Sequence, residues 1–271
     1  MKPAAFDYVR ADSAQAAAEL LQQHGENARI LAGGQSLMAV LNMRLAQPGL
    51  LIDISRSVEL ASITVMPGTV RVGAAVTQAQ LQAHADVPPL LALAFPWISH
   101  FPIRNRGTVC GSIAHADPSA ELPLCLVALR GTVHLRSARG RRDVPAPDFF
   151  TGLLSTARRA DELIEAVSFP RPQPDEAFGF AEHARRHGDF ALCAVAMVAS
   201  SRGLRVAVGG LSDRPNAIDL PALTGPALDD VINELAWSLD VRDDPHTSAT
   251  TRRHLLRQLA RKATPPARRS A

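Results

Sequence analysis

Cysteine is scarce. Cys110, Cys125 and Cys193 are odd in number and far apart, which excludes a disulfide framework, a zinc pattern and an iron–sulfur ligand set. Any metal centre that works with this protein is therefore expected on another chain. Aromatic residues make up only 4%, and lysine occurs only at positions 2 and 262. No stripe of basic residues with interleaved aromatics is present, so no nucleic-acid partner is expected. The 29 Lys+Arg against 26 Asp+Glu leave a net charge of only +3. Its one local concentration, Arg261-Lys262 with Arg268-Arg269, reads as a frayed basic terminus. No unbroken apolar run approaches the roughly 20 residues of a membrane helix, and residues 1–7 lack the apolar centre of a signal peptide. The expected location is cytoplasmic.

What is present is organised around two small-residue stretches. The first is Ala32-Gly33-Gly34-Gln35-Ser36-Leu37, set between an apolar strand around Ile30 and an amphipathic helix running to about Leu45. Adjacent glycines let backbone N–H groups converge on one point, and the helix that follows adds the positive end of its dipole. Such a point suits an anion with bare oxygens, most simply the pyrophosphate of a nucleotide. On the glycine pair alone, an ordinary tight strand-to-helix turn is the plainer account. The spacing is not the G-x-G-x-x-G of a dinucleotide fold, because the third glycine is missing.

The second stretch runs from Arg104 to Glu121 and gathers Thr108, Val109, Cys110, Gly111, Ser112, His115, Asp117 and Glu121 ahead of an apolar helix over 122–129. An apolar core would not collect these residue types; a site gripping a polar ligand from several sides would. Hydroxyls can donate to phosphate, and carboxylates can accept from sugar hydroxyls or ring N–H groups. A metal set built on His115 and Asp117 is not favoured, since a His-x-Asp pair is common by chance.

Between and beyond these stretches the chain reads as follows. Ser13 caps a first helix that Gly25 can end, and strands around Ile30 and over 50–54 form a parallel strand–helix–strand unit. A hairpin turns at Pro67-Gly68, Thr77 and Gln80 resemble a capping box, and a second hairpin turns at Gly140. A strand over 163–169 ends at Pro170, and Pro170-Arg171-Pro172-Gln173-Pro174 is the best linker. Beyond it, three antiparallel strands (178–180, 190–199 and 204–208) and two helices (231–239 and 248–262) complete the chain.

With both stretches in hand, the chain resembles the FAD-binding medium subunit of bacterial molybdenum hydroxylases, the three-subunit relatives of carbon monoxide dehydrogenase and xanthine dehydrogenase. The first stretch matches the family's first FAD loop, and Arg106-Gly107-Thr108 through Glu121-Leu122-Pro123, with its His-Ala-Asp-Pro core, matches the second. Phe149-Phe150-x-Gly152, Arg186-His187-Gly188-Asp189-Phe190-Ala191 and residues 248–256 add further signatures.

The resemblance implies an α+β fold with an FAD-binding domain at 1–172. That domain has two parts, a small parallel strand–helix–strand unit (about 1–57) and a larger mixed sheet (58–172). A small antiparallel-sheet-plus-helices C-terminal domain would occupy 173–271. FAD would lie between the first two parts, its pyrophosphate held by backbone N–H groups of both loops. By the same resemblance Ile164 lies near the flavin ring, and Arg185 and Arg186 approach it from the C-terminal domain. The implied partners are a small 2Fe–2S subunit and a large subunit with the molybdenum cofactor, assembled as a dimer of heterotrimers. The role would be to take electrons from the iron–sulfur subunit and pass them to an external acceptor, with no catalytic acid–base residue and no metal on this chain. Two other readings stay open: a stand-alone FAD-dependent oxidoreductase with its own small substrate, and a non-catalytic scaffold subunit. One departure stands out. Cys110 occupies the first of two positions where the family carries paired glycines, which raises three expectations. The backbone there could need a positive φ, Cys110→Gly would be tolerated, and the thiol is either a small packed group or a redox partner. His115 is expected to make a structural hydrogen bond.

Overall fold

The computed structural model describes residues 2–265. The first unit begins with strand β1 (Asp7–Arg10) and helix α1 (Ala14–His24). Ser13 caps α1 by accepting from the Ala16 amide at 3.1 Å, and its apolar stripe of Ala14, Ala17, Ala18 and Leu21 is buried at helical spacing. β2 (Ala28–Leu31), α2 (Gln35–Asn42) and β3 (Leu50–Asp53) complete the unit. Its three strands lie in the order β1-β3-β2 and are parallel throughout. The expected parallel pair is there, with β1 as a third strand that its exposed Asp-Tyr-Val-Arg composition did not announce.

The second unit carries β4 (Ile63–Met66), β5 (Thr69–Gly73), and a run of helices that follows them in the chain. These are α3 (Gln78–Gln82), α4 (Pro89–Ala94), α5 (Phe101–Arg104), α6 (Val109–His115) and α7 (Glu121–Ala128). The Thr77–Gln80 capping box opens α3. After them come β6 (Thr132–Ser137), β7 (Gly140–Pro145), α8 (Ala146–Phe149), the short pair β8 (Phe150–Gly152) and β9 (Ser155–Thr156), and β10 (Leu163–Pro170). The five-stranded sheet β4-β5-β10-β6-β7 is antiparallel at every pairing, where the resemblance implied a mixed sheet. The parallel strands are confined to the first unit.

The remaining chain forms the sheet β11 (Ala177–His183), β12 (Cys193–Ser200), β13 (Gly203–Gly209) and β14 (Asn216–Leu220), with α9 (Gly225–Ser238) and α10 (Ala249–Ala263). Four antiparallel strands replace the three expected, and residues 190–192 lie ahead of β12 rather than in it. Along β12 the alternation is by size. Ala194 and Ala196 join the core shared with the second unit, while Val195 and Met197 join the core under α9 and α10. The small residues leave room for α7, which packs on β12 and β13 with all eight of its residues buried. Arg261, expected in a frayed tail, is inside α10 and pairs with Asp229 at 2.9 Å. Arg268 and Arg269 lie outside the described residues. Among the described residues no helix is long and apolar enough to cross a membrane.

Candidate functional site

The first loop joins β2 to α2. Gly34 is the residue preceding the helix and has φ +72°, a left-handed backbone that a side chain strains. Gly33 meets a harder constraint: a Cβ there would overlap the carbonyl oxygen of Arg106 and sit 2.7 Å from the Gly107 Cα. The two loops are therefore in backbone contact, and the absence of a side chain at Gly33 is what lets them touch. Gln35 closes the turn by donating from Nε2 to the Gly33 carbonyl at 3.2 Å. The first backbone amide of α2 to find a helical carbonyl is that of Met38, bonded to Gly34 O at 3.0 Å. Those of Gln35, Ser36 and Leu37 make up the open first turn. Ala32 and Leu37 are half-buried beside them and Ser36 is exposed.

The second stretch is a helix rather than an extended loop. Thr108 caps α6 by accepting from the Gly111 amide at 3.0 Å, which leaves its hydroxyl proton free to donate. Gly111 is needed here for room, since a Cβ would lie 2.6 Å from the Thr108 Oγ1. The start of α6 is anchored by Val109 N to Val76 O (3.1 Å) and by Gln78 N to Gly107 O (2.8 Å). Ser112 is half-buried one turn in. The small-residue content that suggested a ligand loop also disguised this helix, because Gly, Ser and Thr are poor indicators of one.

Cys110 is a helical residue of α6 and is not among the positive-φ positions, so the backbone there has no need of glycine. Its side chain is 3% exposed with Sγ 3.6 Å from Val72 O, and burial pushes the thiol up to about 12. It is a packed thiol. His115, in the last turn of α6, makes no side-chain hydrogen bond among the described residues, so the structural bond expected of it is not formed. Asp117 Oδ1 accepts from the Ser119 amide at 2.9 Å, a local turn that positions the start of α7. Glu121 is buried at that start, and burial with the nearby Asp117 charge pushes its carboxyl up to about 7.

Three more expected residues sit further out. Ile164 is buried in β10, in the same apolar core as Val109 and Cys110. Arg185 and Arg186 are exposed between β11 and β12, and Arg185 Nη1 lies 3.0 Å from His246 Nδ1. Their loop is held beside the approach to α5 by Gly188 (φ +88°), where a Cβ would meet the His100 ring at 2.8 Å. His187 also faces both Trp97 and His100.

One residue passed over in the sequence belongs to this site. Gln78 is 6% exposed, contacts the second loop through its backbone, and has a buried Oε1 with no hydrogen-bond partner. Its only sequence signal is its place inside the Thr77–Gln80 capping box. The donor set fits a dinucleotide cofactor. Two helix starts meet at a backbone seam that Cβ atoms would block, hydroxyls stand at both, and an orphan amide oxygen is available to a ligand hydroxyl or N–H. Among the described residues no group of three His, Cys, Asp or Glu side chains could hold a metal ion.

Residues 4–172 match the family model described as the FAD binding domain in molybdopterin dehydrogenase. The chain is 41% identical over 201 residues to the 6-hydroxypseudooxynicotine dehydrogenase complex subunit alpha of Paenarthrobacter nicotinovorans, covering 73% of this chain and 68% of that one. It is 40% identical over 280 residues to the nicotine 6-hydroxylase medium subunit of the same organism, covering 97% of each. The solved structure of carbon monoxide dehydrogenase from Hydrogenophaga pseudoflava superposes with a TM-score of 0.91 at 30% identity, covering 97% of each chain.

Proposed function

Because the chain belongs to the family of FAD-binding domains of molybdopterin dehydrogenases, we propose that it is the FAD-carrying electron-transfer subunit of a molybdenum hydroxylase complex. It receives electrons from a 2Fe–2S subunit and delivers them to an external acceptor, while substrate is oxidised on a large molybdenum-containing subunit. The complex is a dimer of such heterotrimers in the cytoplasm. The domain boundary is assigned near residue 172, within the Pro-rich linker.

The observation that carries this reading is the backbone contact between Gly33 and Arg106–Gly107, which joins two helix starts into one cradle. Amides of Gln35, Ser36 and Leu37, and of Cys110 in the first turn of α6, would hold the pyrophosphate, with Ala32, Gly33, Gly34, Val109 and Gly111 leaving it room. Thr108, Ser112 and Asp117 would bond ribityl or ribose hydroxyls, and Gln78 Oε1 would accept from the same ligand. Ile164 would border the ring region through the core it shares with Val109, and Arg185 and Arg186 would flank it from the C-terminal side. His115 and Glu121, at the end of α6 and the start of α7, would face the same ligand. When bound, FAD supplies the capacity to take up electrons singly and release them singly or as a pair. This chain binds, orients and shields it. All three thiols are buried, which favours a noncovalently held cofactor.

Stopped-flow absorbance separates this reading from a stand-alone oxidoreductase. Organic substrate mixed with the isolated flavin-loaded subunit should leave the flavin oxidised, and mixed with the reconstituted complex should bleach it. Bleaching in the isolated subunit would overturn the relay. A purified subunit that binds no flavin would leave only a scaffold role.

A further inference from the structure

The backbone seam between the two loops hangs on α5, a helix with no apolar anchor. α5 is four residues long, none of them is buried, and Phe101 is 64% exposed. A helix this short does not hold itself together in water. Yet its Ile103 carbonyl accepts from the Arg106 amide at 3.2 Å and from the Gly107 amide at 2.7 Å. Arg106 and Gly107 are the residues whose backbone abuts Gly33. The place of the seam therefore depends on what fixes α5.

Arg104, the last residue of α5, supplies that fixture. Its Nη1 donates back to the carbonyls of Ile98 at 2.7 Å and Ser99 at 3.1 Å, just ahead of the helix. Its Nε donates to Gln82 Oε1 at 3.2 Å, at the end of α3. The other end of α3 is bonded to the second loop, from Gln78 N to the Gly107 carbonyl at 2.8 Å. One planar guanidinium thus spans the turn before α5 and the helix beside it, with several fixed donors where an ammonium would be a single point charge. The turn it holds is strained. Ser99 has φ +43°, a left-handed backbone that is unfavourable for a residue with a side chain. The C-terminal loop meets the same turn only through rings, His187 facing Trp97 and His100.

We propose that Arg104 is a positioning residue for the cofactor: it holds the strained Ile98–Ser99 turn, and through α5 it keeps the Arg106–Gly107 backbone seated against Gly33. This rests on the reading that the Gly33 seam holds FAD. Arg104 itself acts through that backbone and not by touching the ligand.

Two measurements on the full chain test the proposal. Titration of the cofactor-free chain with FAD should show Arg104→Gln binding roughly tenfold more weakly than wild type, as charge-assisted bonds to the turn are lost. Arg104→Lys keeps the charge without the fork and should recover little of that loss. Adding Ser99→Gly to Arg104→Gln should strengthen binding again, because glycine relieves the backbone that Arg104 otherwise holds. Wild-type affinity in Arg104→Gln or in Arg104→Lys would overturn the proposal, and so would a deficit that Ser99→Gly leaves unchanged. The second measurement needs no cofactor. Hydrogen exchange by mass spectrometry should show faster exchange at residues 105–107 in Arg104→Gln, with the protection of α10 unchanged. Equal exchange at 105–107 in the two proteins would overturn the role of Arg104. Should Arg104→Gln not fold, Arg104→Lys takes its place in both comparisons. A wild-type chain that takes up no FAD would instead remove the reading of the seam, while the exchange result still decides whether Arg104 fixes it.

Discussion

Single residues set the limits of the site, and they do so in different ways. Gly33 and Gly34 are adjacent, yet one is glycine for lack of space and the other for its φ of +72°. A methyl group at Gly33 would strike backbone atoms of Arg106 and Gly107, which cannot rotate away as a side chain can. Gly33→Ala should therefore weaken FAD binding at least tenfold, about 1.4 kcal/mol, with the circular dichroism of the chain intact. Gly140→Ala is the control, since a Cβ there meets nothing within 4 Å. Equal flavin affinity in the two variants would show that the loops need not touch. Cys110 is the opposite case. The expectation that glycine would be tolerated at this position assumed a strained backbone, and the residue is helical and packed. Cys110→Gly should destabilise the chain by about 2 kcal/mol, combining a helical glycine with a small cavity, and thermal melts against Cys110→Ala would measure it.

At the scale of elements, the decisive one is α6. It has only the seven residues Val109–His115, and its start depends on the Thr108 hydroxyl. Thr108→Ala should cost about 1 kcal/mol of stability as the Gly111 amide loses its cap, while Thr108→Ser should restore most of it. If Thr108 also donates to the cofactor, flavin release on heating should come earlier in the alanine variant than its apo stability explains. Flavin release from Thr108→Ala no earlier than its lowered apo stability explains would leave the residue a cap and nothing more. The long elements were legible because their signals are local. Ser13 before an alanine-rich stripe, Thr77 with Gln80, and Pro67-Gly68 between β-rich runs each state an element within a few residues. α6 was not legible, because glycine, serine and threonine make helices only when tertiary contacts hold them.

Across the whole molecule, part of the five-stranded sheet is held by charge. Glu165 on β10 is nearly enclosed and accepts from Arg71 (3.3 Å), Arg136 (3.2 Å) and Arg141 (2.9 Å), which together hold its carboxyl below the usual range. Glu162 is held low likewise, chiefly by Arg142 at 2.7 Å. A lowered carboxyl contributes stability above its ordinary 4.5 and loses it as pH falls through the native value. Glu165→Gln should therefore lower stability at neutral pH by on the order of 3 kcal/mol, because three guanidinium groups lose their carboxylate. Denaturant titrations should also show a shallower loss of stability below pH 4.5 than in the wild type. A parallel pH profile in the two proteins would remove Glu165 from the account of acid stability.

The amino-acid sequence by itself determined the chemistry of this protein. Its three scattered cysteines exclude a metal centre built from cysteines on this chain, and its two small-residue stretches mark where a polar ligand can be gripped. It also determined the strand–helix–strand unit, both hairpins and the two terminal helices, since hydrophobic period, caps and turn dipeptides are properties of neighbouring residues. Only the tertiary structure decided that Gly33 abuts Arg106, 73 positions away, and that Gln78 stands with a bare amide oxygen beside the second loop. The same holds for β12, whose alternating alanines and larger residues read as one apolar run until two cores, one on each face, separate them by size. Contacts of this kind depend on backbone separation in space, which no local pattern along the chain encodes.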